Sequence, residues 1–175
     1  MIKSDFRRYS RAVDPGRKRP RVFLFLLILF LNPGFQFVLL CRLQRWVATI
    51  PAVGKLLRFL LWYVTTRQFC CDVDPHASIG PGFYVPHPIG IVIGGKVRIG
   101  AECTLLQNVT IGRGVGGDAD PVIGDRVFLY TGAVVSGAVT IGDDAQIGAN
   151  SVVVRDVPAA TFVGGVPART IKLLP

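Results

Sequence analysis

From residue 79 onward, aliphatic side chains recur every six positions: at Ile79 and Val85, then Ile93, Ile99, Leu105 and Ile111, then Ile123, Leu129, Val135, Ile141, Ile147 and Val153. Gly follows in seven of these twelve cases, and a small or β-branched residue stands four places on (Val97, Cys103, Val109, Val127, Ala133, Val139, Ala145). Six is not a multiple of 3.6, and each glycine would cost a helix about 1 kcal/mol. The β-branched content favours strands instead. Short strands joined by turns and stacked coil on coil around an apolar interior fit the pattern, which predicts a β-solenoid. The period breaks twice. It widens to eight between Val85 and Ile93, where Ile91 and Val92 form an extra pair, and to twelve between Ile111 and Ile123, where GRGVGGDADP replaces a regular hexad. That glycine-rich stretch has little to bury, so it should protrude as a loop. Since successive coils stack on one another, the two breaks could face a common cleft.

The N-terminal part has a different pattern. Residues 22–41 carry no charge, but Asn32-Pro33-Gly34 cuts the run, and a membrane-spanning helix needs about 20 unbroken apolar residues. Helices over about 35–48 and 52–65 are expected, because Phe35, Val38, Leu39, Leu43 and Trp46, then Leu56, Leu57, Leu60, Leu61 and Val64, recur at helical spacing. Arg42, Arg45, Lys55 and Arg58 are interspersed among them.

Charge sharpens the division. Residues 1–70 hold 13 Lys/Arg against Asp5 and Asp14, a net +11, whereas residues 71–175 hold 7 Lys/Arg against 9 Asp/Glu, a net −2. Basic residues beside a greasy run suit the anionic cytoplasmic face of a membrane, where each contributes about 1 kcal/mol. A helical cap on the solenoid or on partner subunits is the alternative reading. A cleaved signal peptide lacks its small-residue cleavage site. Nucleic-acid binding is disfavoured because the basic residues adjoin an apolar run, not a polar patch with stacking aromatics. At 175 residues one domain with an appendage is expected: a helical segment over 1–70, the solenoid over 71–163 and a tail over 164–175. Cys41, Cys70, Cys71 and Cys103 show no disulfide framework, so a reduced compartment is the simpler assumption.

The stretches PHPIGIVIGGKVRIG, QNVTIGRG and VGGVPARTIK carry a family resemblance. The chain resembles the hexapeptide-repeat acyltransferases, in the serine O-acetyltransferase branch, and especially its short members associated with exopolysaccharide or colanic-acid synthesis. The resemblance covers about residues 34–172. It implies a mainly β fold, a left-handed parallel β-helix with a short N-terminal helical segment, acetyl-CoA as acyl donor, no metal, and a homotrimer with donor sites shared between chains. His87 matches the catalytic histidine in the HxxGIVI context. It also occupies an outward position beside a break, and imidazole suits general-base removal of a hydroxyl proton. The family places the orienting carboxylate fifteen residues upstream, which here is Asp72. Asp74 is the decoy, readable as a turn former before Pro75, and His76 reads as structural.

Departures from the family pattern bear on the acceptor. The serine-acetylating pattern has Asp-Arg-His-Pro in the protruding loop and Asp before the first histidine, whereas this chain has Asp118-Ala119-Asp120-Pro121 and Pro86. An amino-acid zwitterion then lacks its usual counter-charges. A sugar or lipid-linked sugar hydroxyl becomes the expected acceptor, with Asp120 and Asp118 as hydrogen-bond partners, and serine is the alternative. For acetyl-CoA, the resemblance implies a pantetheine path past Thr131 and Ala149, phosphates near Arg169, Arg113 or Arg155, and an oxyanion donor near Gly112. A zinc enzyme of carbonic-anhydrase type is disfavoured because its site needs three histidines and the chain has two. A non-catalytic membrane-associated scaffold would need no His87. The enzyme is expected in the cytoplasm, peripheral on the inner face of the cell membrane.

Overall fold

A computed structural model of the chain describes every residue except Arg17, Val115, Gly116 and Asp118. Four helices come first: α1 (Ile2–Val13), α2 (Arg21–Leu31), α3 (Pro33–Val47) and α4 (Val53–Phe69). Short strands follow: β1 (Asp72–Val73), β2 (Ser78–Ile79), β3 (Val92–Ile93), β4 (Arg98–Ile99), β5 (Thr104–Leu105), β6 (Thr110–Gly112), β7 (Val122–Ile123), β8 (Phe128–Leu129), β9 (Val134–Ser136), β10 (Thr140–Ile141), β11 (Gln146–Ile147), β12 (Val152–Val153), β13 (Thr161–Gly164) and β14 (Arg169–Leu173). They stack into three sheets, in the orders β1-β3-β6-β9-β12, β10-β7-β4-β2 and β14-β13-β11-β8-β5. Every pairing is parallel except β13 with β14, where the chain folds back on itself.

The hexads explain the architecture. All twelve period-setting aliphatics are buried, as are the seven small residues four places on. Each larger side chain so buried contributes about 1.5–3 kcal/mol. Register partners Val92 and Thr110, like Val134 and Val152, are eighteen residues apart, so three hexads make one coil. Asp72 and Val92 are twenty apart, and Arg98 and Val122 twenty-four. The two extra and six extra residues are the two breaks. They leave the coil at different corners: Pro86–Gly90 enters the first sheet ahead of β3, and the loop after Gly112 leaves that sheet behind β6. They therefore flank one face of the first sheet.

The helical segment differs from the sequence-based expectation in extent and in orientation. α3 and α4 fall where helices were expected, but α1 and α2 are additional. In α1 the inward residues Phe6, Tyr9 and Val13 keep helical spacing, although a dense set of Lys and Arg masks the pattern. The break at Asn32-Pro33-Gly34 is a helix boundary. Asn32 Oδ1 caps α3 by accepting from Phe35 N (2.9 Å), and Pro33 occupies the first turn, where no amide donor is needed. Gly34 is there for close approach, since a Cβ would strike the Val85 carbonyl oxygen of the first coil. α2 and α3 consequently meet at 82°, and no single helix is long and apolar enough to cross a membrane.

The side of α3 expected to face lipid turns partly onto the solenoid. Phe35 and Val38 are buried, and so is Arg42. Its guanidinium forms two 3.1 Å hydrogen bonds to the Asp5 carboxylate and donates to the Ile79 and Gly80 carbonyls at 2.6 Å. Asp5 in turn accepts from Phe83 N (3.0 Å). Arg45 donates to Ala77 O (3.1 Å), and Tyr9 Oη both donates to and accepts from the Val85 backbone. α1 and α3 are thus a cap on the first coil, and Arg42 and Arg45 hold it there. The outer faces of α2 and α4 stay apolar and exposed, with Phe23, Phe30, Leu31, Leu56, Phe59 and Leu60 among them.

Candidate active site

His87 sits where the coil lengthens, in a tight turn closed by Ile89 N donating to His87 O (2.9 Å). Gly90, at φ +66°, completes the excursion, and a Cβ there would collide with the Asn108 side-chain oxygen. Pro88 is buried beneath the turn while His87 itself is exposed. Its ring makes no hydrogen bond or ion pair with any described residue. Packing does not explain it.

The same corner of the solenoid gathers other expected residues. Asn108 N donates to Ile89 O, Gly132 N to Gln107 O and Asn150 N to Thr131 O, at 2.8, 3.0 and 2.8 Å. His87's turn, Gln107, Thr131 and Ala149 therefore form one column down the edge of the β-helix, with Thr131 half-buried and Ala149 exposed. Gln107 was not anticipated as a site residue. Its Oε1 is buried without a hydrogen-bond partner, and no sequence signal separates it from the other variable hexad positions.

Asp72 reaches this edge from the preceding coil, its N–H donating to Ile91 O (2.8 Å). The structure does not join it to His87 by a hydrogen bond. Its Oδ1 accepts from the Trp62 indole instead (2.9 Å), so α4 supplies a partner that the family spacing could not reveal. Asp74 behaves as a turn former: its Oδ1 accepts from His76 N at 2.8 Å and lies 2.7 Å from His76 Nδ1. Partial burial pushes the Asp74 carboxyl up, but the hydrogen bonds from His76 and the nearby charges of His76 and Arg58 outweigh it and leave it below the usual carboxylate range.

Between α4 and the first sheet lies a cavity of about 320 Å³. Asp72, Asp74, Arg58, Trp62, Phe59 and Gly94 are among its walls. Carboxylates and a guanidinium thus face one small space, and the positive charge comes from the helix that precedes the first coil. Gln44 also lines it, and its Oε1 has no hydrogen-bond partner.

The loop residues are placed differently from the expectation. Asp120 lies close over Gly94, yet its side chain is only 5% exposed and accepts from Arg113 at 3.0 Å. Asp120 is therefore paired within the loop, and Arg113, which remains exposed, is its partner. Asp118 lies outside the described residues. Gly112 sits in the β6–β9 ladder opposite Ser136, with open space where its side chain would be. Arg155 and Arg169 line a single groove of about 180 Å³ at the last coil, together with Asp156. Among the described residues no group of three His, Cys, Asp or Glu could hold a metal ion. The four cysteines are free, and burial pushes the Cys103 thiol up to about 11.

Comparison with known proteins places this architecture. Residues 120–155 match the family described as bacterial transferase hexapeptide (six repeats). The serine acetyltransferase of Mycobacterium tuberculosis is 38% identical over 166 residues, covering 94% of this chain and 69% of that protein. The crystal structure of serine acetyltransferase from Brucella abortus in complex with coenzyme A superposes with a TM-score of 0.86 at 27% identity, over 99% of this chain and 67% of that one. That of Neisseria gonorrhoeae serine acetyltransferase in complex with serine gives 0.82 at 31% identity, over 98% and 67%. The solenoid is accordingly the left-handed β-helix of hexapeptide repeats. A coil of three hexads, a histidine at its widened corner and similarity along nearly the whole chain lead to one assignment: the chain belongs to the serine acetyltransferase family of hexapeptide-repeat transferases.

Proposed function

We propose that the chain transfers the acetyl group of acetyl-CoA to the hydroxyl of serine, with His87 as general base. The imidazole takes the hydroxyl proton as the oxygen attacks the thioester carbonyl. The tetrahedral intermediate then collapses, the C–S bond breaks, and the imidazolium returns the proton to the departing thiolate. Asp72 is read as the carboxylate that orients that ring, once it is shared with or released by Trp62. The observation that carries the choice of acceptor is the cavity under α4, where Arg58 faces Asp72 and Asp74. A zwitterion needs one group of each sign. The sequence-based case against serine assumed that both must come from the position before His87 and from the protruding loop. Arg58 offers the positive charge from elsewhere, and the proteins of known structure similar to this chain include serine acetyltransferases.

A carbohydrate hydroxyl is the second reading, favoured by Pro86 and Ala119 where counter-charges would be expected, but Asp120 is engaged by Arg113. Release of CoA from acetyl-CoA, measured with serine and with a panel of nucleotide and lipid-linked sugars, should be fastest with serine. Arg58→Ala should raise KM for serine roughly ten-fold, the loss of one charge-assisted hydrogen bond, and leave KM for acetyl-CoA unchanged. Acetylation of a sugar at a higher kcat/KM than serine would reverse the assignment.

Acetyl-CoA is read as lying along the His87 column past Thr131 and Ala149, with its phosphates toward Arg155 and Arg169. Alanine at either arginine should raise KM for acetyl-CoA roughly ten-fold with kcat little changed, and an unaltered KM in both variants would remove them from the donor site. A homotrimer with shared donor sites fits the outward column above Asp72, where Val92, Val134 and Val152 face away from the interior with Thr110 among them. Light scattering on the same preparation should return a trimer, and a fully active monomer would exclude sharing. The exposed apolar faces of α2 and α4 and the surplus of Lys and Arg support a peripheral place on the cytoplasmic face of the membrane. A full-length protein that ignores anionic vesicles would exclude that location.

A further inference from the structure

The N-terminal helices border a second cavity, whose walls include none of the residues assigned to acetyl transfer. It measures about 580 Å³, within the range of small-molecule sites. Lys3, Arg7 and Arg11 line it from α1 at four-residue spacing, Arg19 lines it from the connection and Arg21 from the first residue of α2. Like charges at that spacing on a helix repel one another. None of the five forms an ion pair among the described residues. Asp14 is the carboxylate in the wall, and its Oδ2 accepts from Arg19 N (2.9 Å). Ser10 also lines the cavity, and its hydroxyl oxygen is buried with no hydrogen-bond partner. Five cations and an unsatisfied hydroxyl around one space call for an anion with several acceptor oxygens.

The surroundings say which kind of anion. Beyond Arg21, α2 has no charged residue, and Val22, Phe23, Leu26, Phe30 and Leu31 are exposed, Leu31 by 75%. A soluble anion gains nothing from that ridge, whereas an amphiphile gains from both parts. We infer that the cavity between α1 and α2 binds the phosphate headgroup of an anionic membrane lipid, with the outer face of α2 lying among the acyl chains. The inference rests on the membrane-surface reading and gives it a specific site in place of diffuse attraction.

Sedimentation of the full-length chain with vesicles of phosphatidylcholine alone, and with added phosphatidylglycerol, tests it. Removing any one cation of the pocket should weaken binding to the anionic vesicles roughly five-fold. Arg7→Ala/Arg11→Ala/Arg19→Ala should therefore bind much more weakly than Lys18→Ala/Lys55→Ala/Arg67→Ala, which removes the same charge outside the cavity. Acetyl transfer to a soluble acceptor should be unchanged in both. Equal weakening in the two triples would overturn the pocket and leave a diffuse membrane attraction. Failure of the unaltered chain to bind anionic vesicles would overturn the membrane reading with it. Saturable binding of inorganic phosphate, abolished by the pocket triple in a chain that ignores vesicles, would make the site one for free phosphate and overturn the lipid assignment. Arg7→Gln and Arg11→Gln singly, at exposed positions that leave Asp5 and Tyr9 in place, each predict a several-fold weakening should the triple not fold.

Discussion

Replacing His87 with alanine should lower turnover by roughly 100-fold or more, the contribution expected of a positioned general base, while the melting temperature and the affinity for acetyl-CoA stay near those of the unaltered chain. The reasoning is geometric. The His87 side chain is exposed, and no described residue hydrogen-bonds to its ring, so removing it empties no core and orphans no partner. It stands at the head of the column that continues through Thr131 and Ala149, where a thioester laid along the edge would present its carbonyl. Asp72→Asn should lower kcat by a smaller factor, because an amide still fills the position but cannot stabilise the imidazolium. Steady-state kinetics with a fixed acceptor, beside thermal denaturation, measures both. Turnover near normal in His87→Ala would end the proposed mechanism.

Arg42→Ala should destabilise the protein by about 3–5 kcal/mol, the usual cost of removing one partner from a buried ion pair. The change would strand the Asp5 carboxylate in the interface between the helices and the first coil, and it would leave the Ile79 and Gly80 carbonyls without their donor. Folded domains are typically stable by only about 5–15 kcal/mol, so the loss should be plain in chemical denaturation. Asp5→Ala should cost a similar amount, and the double variant less than the sum of the two, since the partners share one interaction. Additive losses, or a cost below about 1 kcal/mol for Arg42→Ala, would show that the pair is not what holds the cap.

The two expectations differ in how far they could be read without coordinates. The widened spacing around His87 marks it directly, because in a solenoid every inward side chain is named by its place in the period and an insertion must leave the stack. Asp72 came from the spacing of a family pattern, which transmits the position of a residue but not its current partner. Trp62 lies ten residues away on a helix whose apolar periodicity marks the indole as packing material. Arg58 and Arg42 were both read as basic residues interspersed on lipid-facing helices. One borders the cavity beside Asp72 and Asp74, and the other is buried on the first coil.

The solenoid is legible in the chain unaided: its inward residues from 79 onward, its two interruptions and the histidine at one of them. The physical reason is that each coil touches only its neighbours, so the burial that stabilises the fold is encoded at fixed, short spacing. Everything else depended on how segments outside the period meet. Folding turned α1 and α3 into a cap held by Asp5 and Arg42, brought Arg58 and Trp62 from α4 to the carboxylates of the first coil, closed Asp120 onto Arg113, and joined the basic residues of α1 and α2 around one cavity. These are pairings between segments without a common period, and a charged side chain carries no mark in sequence of whether water, a carboxylate or a ligand will meet it. Only the path of the chain in space makes that choice.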